Sequence, residues 1–141
     1  QLLKKEKIID YHLGIASVDE IDRLNILEAT KLSMKRIIDK FSINSATLII
    51  DGNFTLGYQN YKEQSIIKGD HISLSIAAAS IVAKVHRDRL MTILSSKYNN
   101  YGWEKNSGYG TAQHIENIKR LGPTIYHRKT FEPIKSLIQS K

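Results

Sequence analysis

Asp51 and Asp70 are the residues whose type and setting point most directly to chemistry. Asp51 closes the apolar run Ala46 to Ile50 and precedes Gly52-Asn53, and Asp70 follows Gly69 just after Ile66 and Ile67. Two carboxylates at the ends of neighbouring strands can converge on hard divalent cations, whose preferred ligands are oxygens. Metals held in pairs by such acids stabilise the attacking and leaving oxygens when a phosphodiester is displaced in line. Asp-Gly and Gly-Asp are also ordinary turn dipeptides, and spacing alone does not separate the two readings.

Other candidates are polar or aromatic groups that meet nucleic acid. Lys84, Arg87 and Asp88 share a helix face by their three- and four-residue spacing, so Lys84 and Arg87 can track a phosphate backbone, or Lys84 and Asp88 can simply pair on a solvated face. His127 and Arg128 carry the same two readings. Tyr109 stands between two glycines, which leaves its ring uncrowded for stacking on a sugar or base, unless it packs inward. Trp103 reads as packing. The five histidines show no metal-ligand spacing and are assigned none.

The elements that must position these groups alternate between strands and helices. Ile8 to Ala16 reads as a strand. Ser17 and Glu20 have the spacing of a capping box, and the helix that follows runs to about Lys40, with Asn25 a break within it. Ala46 to Ile50 reads as a buried strand that delivers Asp51, and Gln64 to Lys68 as a second strand leading to Gly69-Asp70. Ser73 caps a long helix to about Tyr98, with Leu74, Ala78, Ile81 and Val85 as its apolar stripe. Asn99 to Gly110 reads as a loop. Thr111 caps a helix ending near Leu121, Gly122-Pro123 stops it, and a basic tail with a short helix follows. The pattern predicts an α/β fold, a mixed sheet flanked by helices with a helical C-terminal part. The length of 141 residues suits one domain over 1–141.

Charge narrows the partners. Residues 1–61 hold eight Lys/Arg and eight Asp/Glu, whereas residues 62–141 hold thirteen and six, so the second part carries the whole net charge of +7. A basic surface gathers polyanions by releasing their counterions, which makes nucleic acid the leading class. No apolar run approaches the roughly 20 residues that span a bilayer, and the first residues lack the apolar core of a signal peptide. With no cysteine there is no disulfide framework or thiolate site. The expectation is a cytoplasmic protein with no membrane partner.

Several segments together resemble ribonuclease HII. They are Ile49-Ile50-Asp51-Gly52-Asn53, Ile67-Lys68-Gly69-Asp70, the run from Ser75 through Lys84 to Arg87-Asp88, Ser107-Gly108-Tyr109-Gly110-Thr111, Gly122-Pro123-Thr124, and His127-Arg128 with Phe131. Upstream, Glu20-Ile21-Asp22 and Leu24-Asn25-Ile26-Leu27 with Ala29-Thr30 also match, so the resemblance covers essentially the whole chain. It implies a ribonuclease H-like fold and an endonuclease of DNA replication and repair. Such an enzyme cuts the RNA strand of an RNA–DNA hybrid, and single ribonucleotides in duplex DNA, with Mg²⁺ or Mn²⁺. By the same resemblance Asp51 and Asp70 are catalytic, metal-binding acids, the third and fourth of four. Tyr109 matches the tyrosine that reads the RNA–DNA junction, and Lys84 and Arg87 are substrate-binding candidates. The complete protein is expected to be a monomer.

The resemblance has a gap. The first two acids of the family lie in an Asp-Glu-x-Gly-Arg-Gly motif that these residues do not contain. Asp19-Glu20 is followed by Ile21-Asp22-Arg23 instead, and Glu20 already fits the capping box. The chain also opens on Gln1 rather than Met. The expectation is an N-terminally truncated domain, weak or inactive alone, because Mg²⁺ binds poorly when few fixed oxygens replace its waters. The alternatives are a non-catalytic remnant that binds hybrid or duplex nucleic acid, and a structural chain whose sheet a partner completes.

Overall fold

The computed structural model describes residues 9–41 and 45–139. These form two compact units: Thr30–Ile81 with the stretch before Ser17, and Ser17–Ala29 with the stretch from Val82 onward. The α/β class holds. Among the described residues no helix is long and apolar enough to cross a membrane.

In the first unit, β1 (Thr47–Asp51) and β2 (Lys62–Ile66) form a parallel pair with Thr47 opposite Lys62 and Asp51 opposite Ile66. Residue 8 of the expected Ile8–Ala16 strand lies outside the described residues, and 9–16 form no strand. Instead this stretch lies against α2 (Ile26–Ile38): Arg36 Nη1 donates to the Ile15 carbonyl at 2.6 Å, and a side chain on Gly14 would collide with the Ser33 carbonyl. A glycine that lets one backbone touch a helix commits the segment to that helix, not to a ladder. The sheet among the described residues is therefore a parallel pair, where three strands in a mixed sheet were expected.

The second strand starts two residues earlier than its apolar content indicates, at Lys62 instead of Gln64, and ends at Ile66. Its polar half is held by Glu63, whose carboxylate accepts the N–H groups of Leu56 and Tyr58 and so ties the 52–61 connection to the strand. Burial pushes the Glu63 carboxyl up, but these backbone bonds outweigh it and hold it below the usual carboxylate range. The first strand buries Ile50, whereas Ile49 is exposed, so it is covered on one face only.

In the second unit the local signals hold. Ser17 and Glu20 close the capping box of α1 (Val18–Leu24), each taking the other's backbone N–H, at 3.2 and 2.8 Å. Asn25, at φ 73°, ends α1, and its Oδ1 accepts the Glu28 N–H at 3.1 Å, which makes it the cap of α2 as well. Thr111 caps α5 (Ala112–Leu121), which stops at Gly122.

The long helix α3 (Leu74–Lys97) has the expected span but the opposite orientation. Leu74 is 87% exposed, Ile81 63% and Val85 43%, and Ala78 is exposed too, while Ile76 and Met91 are buried. The helix carries apolar residues on two sides, so periodicity identified a stripe without showing which stripe is covered.

The expected 99–110 loop holds a 3₁₀ turn, Asn99–Tyr101, and the short helix α4 (Trp103–Asn106). Both feed the core of this unit, where Met91, Tyr101, Trp103, Ile118 and, from α6 (Ile134–Gln139), Ile134 pack together. Trp103 is 2% exposed, the packing role read for it.

Candidate active site

The two acids reach one end of the parallel pair by different routes. Asp51 is the last residue of β1, opposite Ile66, and the next residue, Gly52, donates its N–H to the Ile66 carbonyl at 3.0 Å. After Ile66 the chain turns through Lys68, in the left-handed region at φ 55°, into a 3₁₀ turn of Gly69–His71 that carries Asp70. The Gly69 N–H donates to Asp51 Oδ1 at 2.9 Å. Asp51 is thus anchored to the residue immediately before Asp70.

Gly69 is buried, and a side chain there would meet Ile76 Cδ1 at 2.5 Å and Asp51 Oδ1 at 3.4 Å. Its lack of a Cβ brings the turn against the first part of α3, and Ser73 N–H completes the junction by donating to the Gly69 carbonyl at 2.7 Å. Both carboxylates are exposed. The His71 ring lies 3.8 Å from Asp70 Oδ2. Oxygen donors of this kind suit Mg²⁺ or Mn²⁺ and not a thiophilic metal. Among the described residues no group of three His, Asp or Glu side chains is placed to hold a metal ion.

The other predicted residues gather in the second unit. Lys84 Nζ is 2.9 Å from both Asp88 oxygens, the pairing that was its alternative reading. The bond from Lys84 lowers the Asp88 pKa and raises that of Lys84. Arg87 Nη2 donates to the Ser107 carbonyl at 3.1 Å, which fastens α3 to the loop bearing Tyr109. That loop is built by local bonds: the Gly108 N–H meets Asn106 Oδ1 at 2.8 Å and the Tyr109 N–H meets the Asn106 carbonyl at 2.7 Å. The Tyr109 ring is 60% exposed, so it does not pack inward.

His127, in contrast, is interior. Its ring stacks on His114 with centroids 5.4 Å apart and touches Tyr101 and Trp103. Nδ1 accepts the Thr124 N–H at 2.9 Å, and Nε2 is buried with no partner among the described residues. Burial and the neighbouring His114 push its pKa down to about 4.

Sequence reasoning overlooked Asp22. Its carboxylate accepts the Lys129 N–H at 2.8 Å, the Thr130 N–H at 3.1 Å and the Thr130 hydroxyl at 2.6 Å. Burial pushes the Asp22 carboxyl up, but the Thr130 and Lys129 bonds more than offset this and hold it low. No local pattern could have announced a contact made across more than a hundred residues.

Comparison with known proteins agrees with the motifs. The family model described as ribonuclease HII matches residues 1–133. The chain is similar to a ribonuclease HII of Pelagibacter ubique (strain HTCC1062), 51% identical over 136 residues that make up 96% of this chain and 72% of that protein. It is 48% identical to one of Macrococcus caseolyticus (strain JCSC5402) over 94% of this chain and 50% of that one. A third, of Paramagnetospirillum magneticum (strain ATCC 700264 / AMB-1), is 50% identical over 86% and 60%. The chain therefore spans between half and about 72% of the length of these relatives. Its ordered motifs, its α/β fold and a family match over nearly its full length converge on one conclusion: the chain belongs to the ribonuclease HII family.

Proposed function

We propose that the chain is the part of a ribonuclease HII endonuclease that supplies Asp51 and Asp70 to a divalent-metal site, for hydrolysis of the RNA strand of RNA–DNA hybrids and of single ribonucleotides in duplex DNA. The observation that carries this is the Gly69–Asp51 hydrogen bond, which joins the two acid-bearing strand ends at one place. Bound there, Mg²⁺ or Mn²⁺ would supply Lewis-acid stabilisation of the phosphodiester oxygens. Asp51 Oδ1 is held by the Gly69 amide, so the carboxylate is oriented before any ligand arrives, which reduces the entropy lost on binding. Asp70, the residue after Gly69 on a tight turn, presents an exposed carboxylate. Tyr109 offers an exposed ring for stacking, and Arg87 fixes its loop, while Lys84, paired with Asp88, stands one turn before Arg87 on the same helix as a further substrate-binding candidate. A cytoplasmic location, and a monomer for the complete protein, fit this reading.

With two carboxylates from these 141 residues, metal binding is weak and hydrolysis by this chain alone is slow or absent. Incubating it with a labelled hybrid and Mn²⁺ tests both parts. Slow cleavage that vanishes in Asp51→Asn and Asp70→Asn supports the site, and cleavage that persists in both variants sinks it. Fast cleavage lost in Asp51→Asn would keep the site and remove the claim of weakness.

A second reading, binding of hybrid or duplex without cleavage, draws on the lack of any three-acid or histidine group among the described residues and on the +7 charge. It predicts salt-dependent hybrid binding with no Mn²⁺-dependent product at any enzyme concentration.

A further inference from the structure

Asp22 takes three hydrogen bonds from two consecutive residues, Lys129 and Thr130, which lie 107 and 108 positions further along the chain. A carboxylate that accepts two successive backbone N–H groups and a hydroxyl fixes the peptide planes there, and with them the direction in which the preceding residue leaves the backbone. That preceding residue is Arg128. Its guanidinium lies over the Phe131 ring, with Cζ 3.8 Å from the ring centroid. Stacked in this way, its donors are confined to the plane of the fork.

Arg128 stands in the field of a second guanidinium, that of Arg87. Burial and the like charge of Arg87 lower its pKa, and Asp22 only partly opposes them. Arg87 is itself held against the Ser107 carbonyl, two residues before Tyr109. Two guanidiniums fixed within each other's field, one by an aromatic ring and one by a carbonyl, gain most from an anion that takes donors from both. A phosphate fits that role, since its oxygens accept the planar fork of an arginine.

We infer that Asp22 is a positioning residue, which aims Arg128 so that it and Arg87 grip one backbone phosphate of the duplex beside Tyr109. This rests on the nucleic-acid reading proposed above. Phosphate contacts of this type set the register of a duplex on a protein without reading sequence.

The test is binding of the 141-residue chain to a fluorescent RNA–DNA hybrid in EDTA across about 50–200 mM salt, which reads phosphate contacts without metal or cleavage. Arg128→Gln is expected to reduce the slope of log K against log salt by about one, and Arg128→Lys to restore it. Asp22→Asn should lose the same slope in the wild-type background and have no further effect in the Arg128→Gln background. A merely structural Asp22 would weaken binding equally in both. Thr130→Val, which removes one of the three bonds, serves in the same cycle if Asp22→Asn does not fold. An unchanged slope in Arg128→Gln, or equal losses in both backgrounds, overturns this inference alone. A wild-type chain with no salt-dependent hybrid binding overturns it together with the functional reading.

Discussion

The Gly69 N–H donates to Asp51 Oδ1 across 2.9 Å, so the residue before one acid holds the other in place. The same glycine has no room for a side chain, because a Cβ would come within 2.5 Å of Ile76 Cδ1. Gly69→Ala should therefore destabilise the fold by about 1–3 kcal/mol through overpacking. Ile76→Val, which removes the offending methyl, should recover part of that loss in the double variant. Urea unfolding of the four proteins in the cycle measures it. Costs that simply add would show that the two side chains do not meet.

The orientation of α3 makes a prediction opposite to that of its sequence periodicity. Ile76 is 6% exposed, so Ile76→Ala should cost about 2–5 kcal/mol. Leu74→Ala and Ile81→Ala, at exposed positions, should change stability by no more than about 0.5 kcal/mol. Chemical denaturation gives the order directly, and a larger loss at Ile81 than at Ile76 would mean that the expected stripe is the covered one.

His127 gives the fold a pH dependence of definite sign. Its pKa is about 4 in the folded chain, below the ordinary value of 6.5, so between these values the unfolded chain binds the additional proton. Stability is full above about pH 6.5 and falls as pH drops towards 4, by a total on the order of 3 kcal/mol. His127→Gln should flatten that part of the profile in denaturant melts recorded from pH 7 to 4. A variant with the wild-type slope would place the titrating group elsewhere.

What could be read from the sequence was local. The Ser17–Glu20 box, the break at Asn25 and the Thr111 cap are each settled by groups within four residues of one another, and each is where its pattern puts it. Where the outcome depended on distant partners, the pattern misled. The 9–16 stretch lies against α2 because Gly14 permits it, β2 begins in polar residues because Glu63 grips the loop before it, and α3 turns Ile76 inward because the Gly69 turn receives it. The candidate site divides in the same way. Residue type and order singled out Asp51, Asp70 and Tyr109, whereas the Gly69 anchor and the Asp22 clasp arise only once the chain has folded.

We propose that Asp51 and Asp70 hold divalent metal together. Titrating the isotopically labelled chain with Mn²⁺, whose unpaired electrons broaden nearby NMR signals, tests it most directly. The amide signals of Gly52, Gly69 and Asp70 should broaden first in the wild-type chain and be spared in both Asp51→Asn and Asp70→Asn. Broadening that begins elsewhere, or that persists at these amides in both variants, would contradict the claim.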